Sequence, residues 1–257
     1  MLVSVLASGS KGNCTLVKTD KLNILIDAGM TLKYIGEKLS KFNLTPKDIN
    51  YIFITHTHKD HIGALETLIK KYNPTICIGK KMVKDLSYLK NYDNVYIIEN
   101  YLELEDLVVE TIKTSHDTSE SLGYIFSNNN SSLVYITDTG YINSKYFDRL
   151  KDKNMYVLES NHDVEMLMHG KYPAWLKNRV LSDKGHLSNK SSAFYLSKFI
   201  GDNTNYVVLA HLSHENNTPD KAISTLKDTL KEYEIDFKNI YVAKQDEKTE
   251  NFNIWLN

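Results

Sequence analysis

The seven residues from 55 to 61 read THTHKDH and place three histidines and one aspartate in one short stretch. They follow the apolar run YIFIT and precede IGALETLIKKY, patterns typical of a buried strand and of a helix. His56 and His58, two apart on an extended chain, can converge, whereas Asp60 and His61 begin the helix and point elsewhere. Because zinc, manganese and iron accept imidazole and carboxylate ligands, the pattern predicts two adjacent divalent ions. The alternative is a polar loop with surface histidines.

Three further candidate ligands each stand just beyond a strand-like run. His116 follows VVETIKTS, Asp138 follows LVYIT, and His211 follows YVVLA. Folds of the α/β class gather their sites at strand ends, so the three placements strengthen one another. Taken singly, His116 could be an exposed loop imidazole, Asp138 a turn cap before Gly140, and His211 a residue of a cap region.

The elements that must position these residues alternate between short strands and helices. Strands are predicted at 2–6, 14–18, 23–27, 51–55, 75–78, 133–137, 155–159 and 206–210, and helices at 31–42, capped by Thr31, 62–72, 80–90, 188–200 and 219–232. Between 102 and 137 strand patterns follow one another without a helix, and the asparagines at 128–130 predict a hairpin turn. We therefore expect an α/β fold with mixed sheets, in a single domain spanning 1–257.

Composition narrows the function further. The chain has 31 Lys+Arg against 32 Asp+Glu, so any contact with nucleic acid must come from a local patch. Only Arg149 and Arg179 are arginines, which argues against sequence-specific DNA reading. Cys14 and Cys77 stand alone and predict no disulfide framework. No apolar stretch is long enough to span a bilayer, so we expect a cytoplasmic protein with no membrane contact.

The order of these motifs resembles the metallo-β-lactamase superfamily. THTHKDH is followed by His116 in SHDTSESLGY, Asp138 in YITDTG and His211 in LAHLS. The resemblance implies a four-layer αββα sandwich with the site at one edge. It also implies that two divalent ions, zinc or manganese with iron as a further option, take these ligands: His56, His58 and His116 for one ion, Asp60, His61 and His211 for the other, and Asp138 as the bridge.

Other segments resemble the phosphodiesterase branch of that superfamily. GHLSN at 185–189 and LAHLSHENNTP are similar to paired elements of tRNase Z and PhnP-type enzymes, and with ASGSKGNC at 7–14 they are most similar to the YycJ/WalJ subfamily of exodeoxyribonucleases. The resemblance implies a DNA exonuclease in which a hydroxide bridging the metals attacks phosphorus. Its implied catalytic residues are Asp60, Asp138 and His186, and Ser188 and Asn189 of GHLSN are candidates for substrate binding. The loop at 8–13 has flexible glycines and backbone N–H groups that can cradle an anion, so Ser8 and Asn13 are further candidates for substrate binding.

Two other classes of function stay open at this point. The same ligands could serve a small-molecule hydrolase acting on a cyclic phosphodiester or on a thioester of the glyoxalase II type. The fold could also serve as a non-catalytic binding module. True β-lactamases usually lack a histidine at the His61 position and carry cysteine at the Asp138 position, so antibiotic hydrolysis is disfavoured. The native metal, the polarity of the degraded strand and the oligomeric state are not determined by the sequence.

Overall fold

A computed structural model describes residues 1–254, which form two β-sheets with helices on their outer faces. The strands, in chain order, are β1 (Leu2–Ala7), β2 (Cys14–Lys18), β3 (Asn23–Ile26), β4 (Tyr51–Phe53), β5 (Thr75–Ile78), β6 (Val95–Ile97), β7 (Tyr101–Glu103), β8 (Val108–Lys113), β9 (Leu122–Asn128), β10 (Ser131–Ile136), β11 (Met155–Glu159), β12 (Tyr206–Ala210), β13 (Ile240–Val242) and β14 (Phe252–Asn253). Every strand predicted from the sequence is present, although several ends shift by one or two residues.

The helices lie between these strands. They are α1 (Leu32–Leu39), α2 (Lys59–Ile62), α3 (Leu65–Tyr72), α4 (Met82–Asp85), α5 (Phe147–Leu150), α6 (Val164–His169), α7 (Ala174–Leu181), α8 (Asn189–Phe199) and α9 (Pro219–Glu232). Thr31 caps α1 as predicted, since its side chain accepts a hydrogen bond from the Tyr34 amide. No helix within residues 1–254 is long and apolar enough to cross a membrane.

Each sheet combines parallel and antiparallel pairing. The first sheet has the order β14-β1-β2-β3-β4-β5-β6, and the second has the order β13-β12-β11-β10-β9-β8-β7. Pairing is parallel from β3 to β6 and from β10 to β13, and antiparallel elsewhere. The predicted hairpin joins β9 to β10, where Ser131 pairs with Asn128. The predicted α/β class with mixed sheets is confirmed.

The central strands are apolar on both faces because each face packs against its own apolar cluster. In β10, Leu133 and Tyr135 face the cluster between the sheets, whereas Val134 and Ile136 belong to the cluster that includes α8 and α9 residues. Phe53 of the first sheet packs edge-on against Tyr124 of the second, with ring centroids 5.4 Å apart. Two sheets packed face to face and covered by helices make the predicted four-layer αββα sandwich.

Two predicted helices are shorter than expected. The pattern over 62–72 is interrupted at Gly63, so that α2 and α3 are separate helices. The interruption has a tertiary cause: a Cβ on Gly63 would lie 2.5 Å from the Gly29 carbonyl oxygen, and the Ala64 amide donates to the Ala28 carbonyl. The helix predicted at 80–90 is only the single turn α4 followed by a 3-10 turn.

Candidate metal centre

The THTHKDH stretch turns from β4 into α2, as predicted, and brings two of its histidines, His56 and His58, to one point with His116. His56 Nε2 lies 3.1 Å from His58 Nδ1, and His116 Nε2 lies 3.3 Å from the same atom. His116 follows β8 in the second sheet, and its Nδ1 is positioned to donate to the Gly185 carbonyl at 3.2 Å. That hydrogen bond leaves His116 Nε2 directed at the other two rings, so the three imidazoles form one group able to hold a metal ion.

A second group lies beside the first. His61 Nε2 is 3.5 Å from Asp60 Oδ2, and His211 Nε2 is 3.8 Å from the same oxygen. Asp60 and His61 come from the single turn α2, whereas His211 follows β12 of the other sheet. These three residues also offer ligand atoms close enough to share one ion.

Asp138 contacts members of both groups. Its Oδ2 lies 3.3 Å from His61 Nε2, and its Oδ1 lies 3.5 Å from His211 Nε2 and 3.9 Å from His116 Nε2. Asp138 and His211 both have φ of 55°, the left-handed region, so the chain turns sharply as it leaves β10 and β12. Parallel strands end at one edge of a sheet, which explains why these two residues lie together.

The donor set fits a divalent cation. Asp138 Oδ2 and His211 Nε2 are buried and form no hydrogen bond within the described residues. An unpaired buried polar atom costs about 1–3 kcal/mol, a cost that a coordinated ion removes. Imidazoles with carboxylates suit zinc, manganese or iron, so the residues present are able to bind metal ions.

The electrostatics of the cluster agree with that chemistry. Burial, together with the charge of His61, lowers the pKa of His56 well below its usual value, so this ring is held in the neutral form that binds metals. Burial alone would raise the pKa of Asp138, but the charges of His211 and His61 outweigh it and lower that pKa well below the usual range. Burial would lower the pKa of His211, yet the carboxylates of Asp138, Asp60 and Glu159 around its ring raise it to about 10.

Asp27, which the sequence analysis did not single out, supports the second group from behind. Its Oδ2 accepts a hydrogen bond from His61 Nδ1 at 2.7 Å and another from the Thr55 hydroxyl at 2.8 Å, while its Oδ1 accepts from the Thr55 amide. This arrangement fixes His61 Nε2 toward Asp60 and Asp138. A signal was available, because Asp27 follows the apolar strand β3 just as Asp138 follows β10.

Glu159 links two histidines at the end of β11. Its Oε1 lies 2.7 Å from His186 Nδ1 and 3.2 Å from His211 Nδ1. The amides of Thr139 and Leu187 donate to Oε2 and fix the carboxylate. Burial would raise the pKa of Glu159, but the charge of His186 and the hydrogen bonds that Glu159 accepts from His186 and His211 lower that pKa to about 2. His186 is thereby held beside the cluster, 3.7 Å from Asp138 Oδ1.

The four residues predicted to bind substrate are largely buried around this cluster. Ser8 Oγ accepts from the His211 amide at 2.7 Å, and Asn13 Nδ2 lies 2.9 Å from His61 Nε2. Ser188 caps α8, and Asn189 Oδ1 accepts from the Ser160 hydroxyl at 2.7 Å. Ser8 and Asn13 thus contact candidate ligands, whereas Ser188 and Asn189 lie at the start of α8, after His186, and the contact of all four with substrate stays a prediction.

Comparisons with known proteins agree with this architecture. The family model of the metallo-beta-lactamase superfamily matches residues 7–211. The chain is 38% identical to exodeoxyribonuclease YycJ of Bacillus anthracis, over 89% of each chain, and 35% identical to exodeoxyribonuclease WalJ of Streptococcus pneumoniae, over 96% of this chain and 95% of that one. The crystal structure of YhfI from Bacillus subtilis, described as a metallo-beta-lactamase fold protein, superposes with a TM-score of 0.72 at 15% identity, covering 96% of this chain and 98% of that one. The chain belongs to the metallo-β-lactamase superfamily.

Proposed function

We propose that this protein is a metal-dependent phosphodiesterase that degrades DNA from its ends, in a single domain spanning residues 1–257. The observation that carries the proposal is the convergence of two potential ligand groups on Asp138, where buried polar atoms have no hydrogen-bond partner among residues 1–254. The choice of DNA is supported by the two relatives named exodeoxyribonucleases, which this chain matches over most of both lengths.

The proposed centre holds two divalent ions, zinc or manganese, with iron as a further option. When bound, the ions supply neutralisation of phosphate charge and lower the pKa of water toward neutrality. The ligands are assigned as His56, His58 and His116 for one ion, Asp60, His61 and His211 for the other, and Asp138 as the bridge.

The residues around the ions orient the reactants. Asp60 Oδ2 lies among the second group, where the carboxylate can accept a hydrogen bond from the attacking water. His186 Nδ1 is held by Glu159 at 2.7 Å, so its Nε2 is the nitrogen left to donate to a phosphate oxygen or to the leaving oxygen. Substrate contacts by Ser8, Asn13, Ser188 and Asn189 remain part of the proposal, and an increased KM in their alanine variants tests it.

The proposal is tested with metal-loaded protein on linear duplex DNA labelled at the 5′ or the 3′ end, with matched RNA and closed circular DNA alongside. Linear DNA should shorten progressively, whereas the circle, which has no ends, should stay intact. Asp60→Ala should abolish the shortening, because it removes a ligand. Asp228→Ala, at an exposed position on α9, is the matched control and should leave it unchanged.

Three other outcomes would contradict the nuclease proposal or favour a different function. Failure of fully metallated protein to degrade any DNA end would contradict the nuclease proposal. Hydrolysis of a cyclic phosphodiester or of S-lactoylglutathione instead would favour a small-molecule hydrolase. Less than one bound metal ion per chain after reconstitution would favour a non-catalytic binding module.

A further inference from the structure

The segment between β11 and His186 exposes apolar side chains that the proposed chemistry does not use. Trp175, near the start of α7, is 67% exposed, and Met168 and Leu181 on the same segment are also exposed. The Lys177 ammonium donates to the Met168 carbonyl at 2.6 Å and ties α7 to α6. The exposed Trp175 indole does not pack in the core, and its helix is held in place by such contacts. An exposed apolar surface of this kind is typical of an interaction site.

Two contacts connect α7 to the candidate metal centre. The Val180 carbonyl accepts from the His186 amide at 3.0 Å. Arg179 Nε donates to Asp117 Oδ2 at 2.6 Å, and Asp117 Oδ1 lies 3.4 Å from His116 Nε2. Arg179 therefore reaches the edge of the ligand cluster. Trp175, four residues earlier, lies one helical turn away on the same face of α7, because residues four apart are neighbours on a helix surface.

The charge of this segment favours a polyanion over a second copy of the chain. Residues 166–182, between Glu165 and Asp183, contain Lys171, Lys177 and Arg179 but no aspartate or glutamate, and Arg179 is paired with Asp117, so the two lysines supply the positive charge beside Trp175. A symmetric contact between two copies would bring these like charges together. A nucleic-acid strand instead offers negative phosphates for the cations and a flat base for the indole, the combination that single-strand binding surfaces use.

We propose that Trp175 is a stacking platform for an unpaired base of the DNA strand whose end enters the metal centre, with Lys171 and Lys177 supplying positive charge for its phosphates. Bases inside a duplex are stacked on one another and leave no free face, so the platform receives only a frayed or single-stranded end. The inference rests on the proposed function, since it takes the strand to be the substrate of that same site.

The test compares DNA strands that carry normal bases with strands in which one of the first four nucleotides from the cleaved end is abasic. Loss of one stacked base should lower kcat/KM about 5- to 150-fold in the wild type, through KM, when the abasic nucleotide occupies the platform. Trp175→Ala should lower kcat/KM on the normal strand by a similar factor and make it insensitive to the abasic position. Trp175→Phe, which keeps an aromatic face, should restore most of that sensitivity.

Tyr101→Ala is the matched control, because Tyr101 is an aromatic residue of similar exposure, 64%, on the outer edge strand β7. It should behave as the wild type. Equal sensitivity to abasic nucleotides in the wild type and in Trp175→Ala would overturn the platform while leaving the nuclease proposal intact. The platform would also be overturned if the wild type were a dimer and Trp175→Ala converted it to a monomer with unchanged kinetics.

A binding measurement separates failure of the platform from failure of the nuclease proposal. The sequence has two tryptophans, so Trp255→Phe leaves Trp175 as the reporter. In metal-loaded protein, a hydrolysis-resistant phosphorothioate strand should quench its fluorescence, and an abasic nucleotide at the sensitive position should weaken the binding about 5- to 150-fold. Quenching without any DNA degradation would support the platform and reject the nuclease. Absence of quenching at saturating strand would reject the platform even if degradation is observed.

Discussion

His61 Nδ1 and Asp27 Oδ2 lie 2.7 Å apart, and both side chains are fully buried. The pair joins two parallel strands of the first sheet, since Asp27 follows β3 and His61 lies beyond β4. Asp27 thus sets which nitrogen of His61 faces the cluster. It also holds the start of the ligand turn through the Thr55 amide.

Asp27→Asn should weaken metal binding about 10- to 100-fold, because the amide keeps the size of the side chain but loses the charge that orients His61. The measurement is a competition titration against a metal chelator of known affinity. Asp20→Asn, at an exposed position before β3, is the control and should bind metal as the wild type does. Unchanged affinity in Asp27→Asn would show that His61 does not depend on this partner.

His186→Ala should lower the rate on DNA about 10²- to 10⁴-fold if this imidazole protonates the leaving oxygen. A phosphodiester with a p-nitrophenolate leaving group needs no protonation, so the same variant should lose far less activity on that substrate. The comparison is of kcat for both substrates, with His169→Ala, at an exposed position on α6, as the control. Equal losses on both substrates would assign His186 to holding the phosphate instead.

Gly29→Ala should disrupt the ligand turn. A Cβ at this position would lie 1.6 Å from the Asp60 carbonyl oxygen and 2.7 Å from the Asn13 amide nitrogen, so the backbone that carries Asp60 must move. We expect loss of metal binding and a lower free energy of unfolding, measured by denaturant titration and by metal content.

Gly36→Ala, inside α1, is the matched control, because among the described residues the new Cβ would meet only Pro46, at 3.7 Å. It should raise the free energy of unfolding by about 0.5–1 kcal/mol, since alanine favours helix more than glycine does. A metal content in Gly29→Ala equal to that in Gly36→Ala would contradict the steric argument.

His162 should make the metal-free protein less stable as the pH falls. Burial lowers the pKa of His162 to about 4, and neither ring nitrogen forms a hydrogen bond within the described residues. Between that value and the ordinary pKa of about 6.5, the unfolded chain binds more protons, so the free energy of unfolding falls with decreasing pH. This group contributes a loss of about 2 kcal/mol between pH 7 and pH 5.

The measurement compares urea unfolding of the metal-free wild type and His162→Leu at a series of pH values. The variant should lose about 2 kcal/mol less stability across that range. His169→Leu, at an exposed position, should follow the wild type. Parallel curves for the wild type and His162→Leu would contradict the prediction.

The candidate ligands could be predicted from the sequence because local chemistry identifies them. THTHKDH places four donors within six positions, and His116, Asp138 and His211 each follow a strand that composition alone reveals. The α/β class was equally accessible, since apolar strands covered on both faces differ from amphipathic helices in their periodicity. Helix ends were less predictable: Gly63 interrupts a helical pattern because of Gly29, which lies far from it in sequence.

Only the tertiary structure decided which partners hold the candidate ligands. Asp27 reaches His61 across two strands, Glu159 joins His186 to His211, and Arg179 reaches Asp117 from a helix that the sequence analysis did not predict. These contacts join residues 27 to 62 positions apart, so no local periodicity encodes them. The sequence by itself therefore determined the ligand chemistry and the fold class, because both depend on residue type and short-range spacing. The orientation of each imidazole, and the surface that α7 presents beside them, depend on how the two sheets meet.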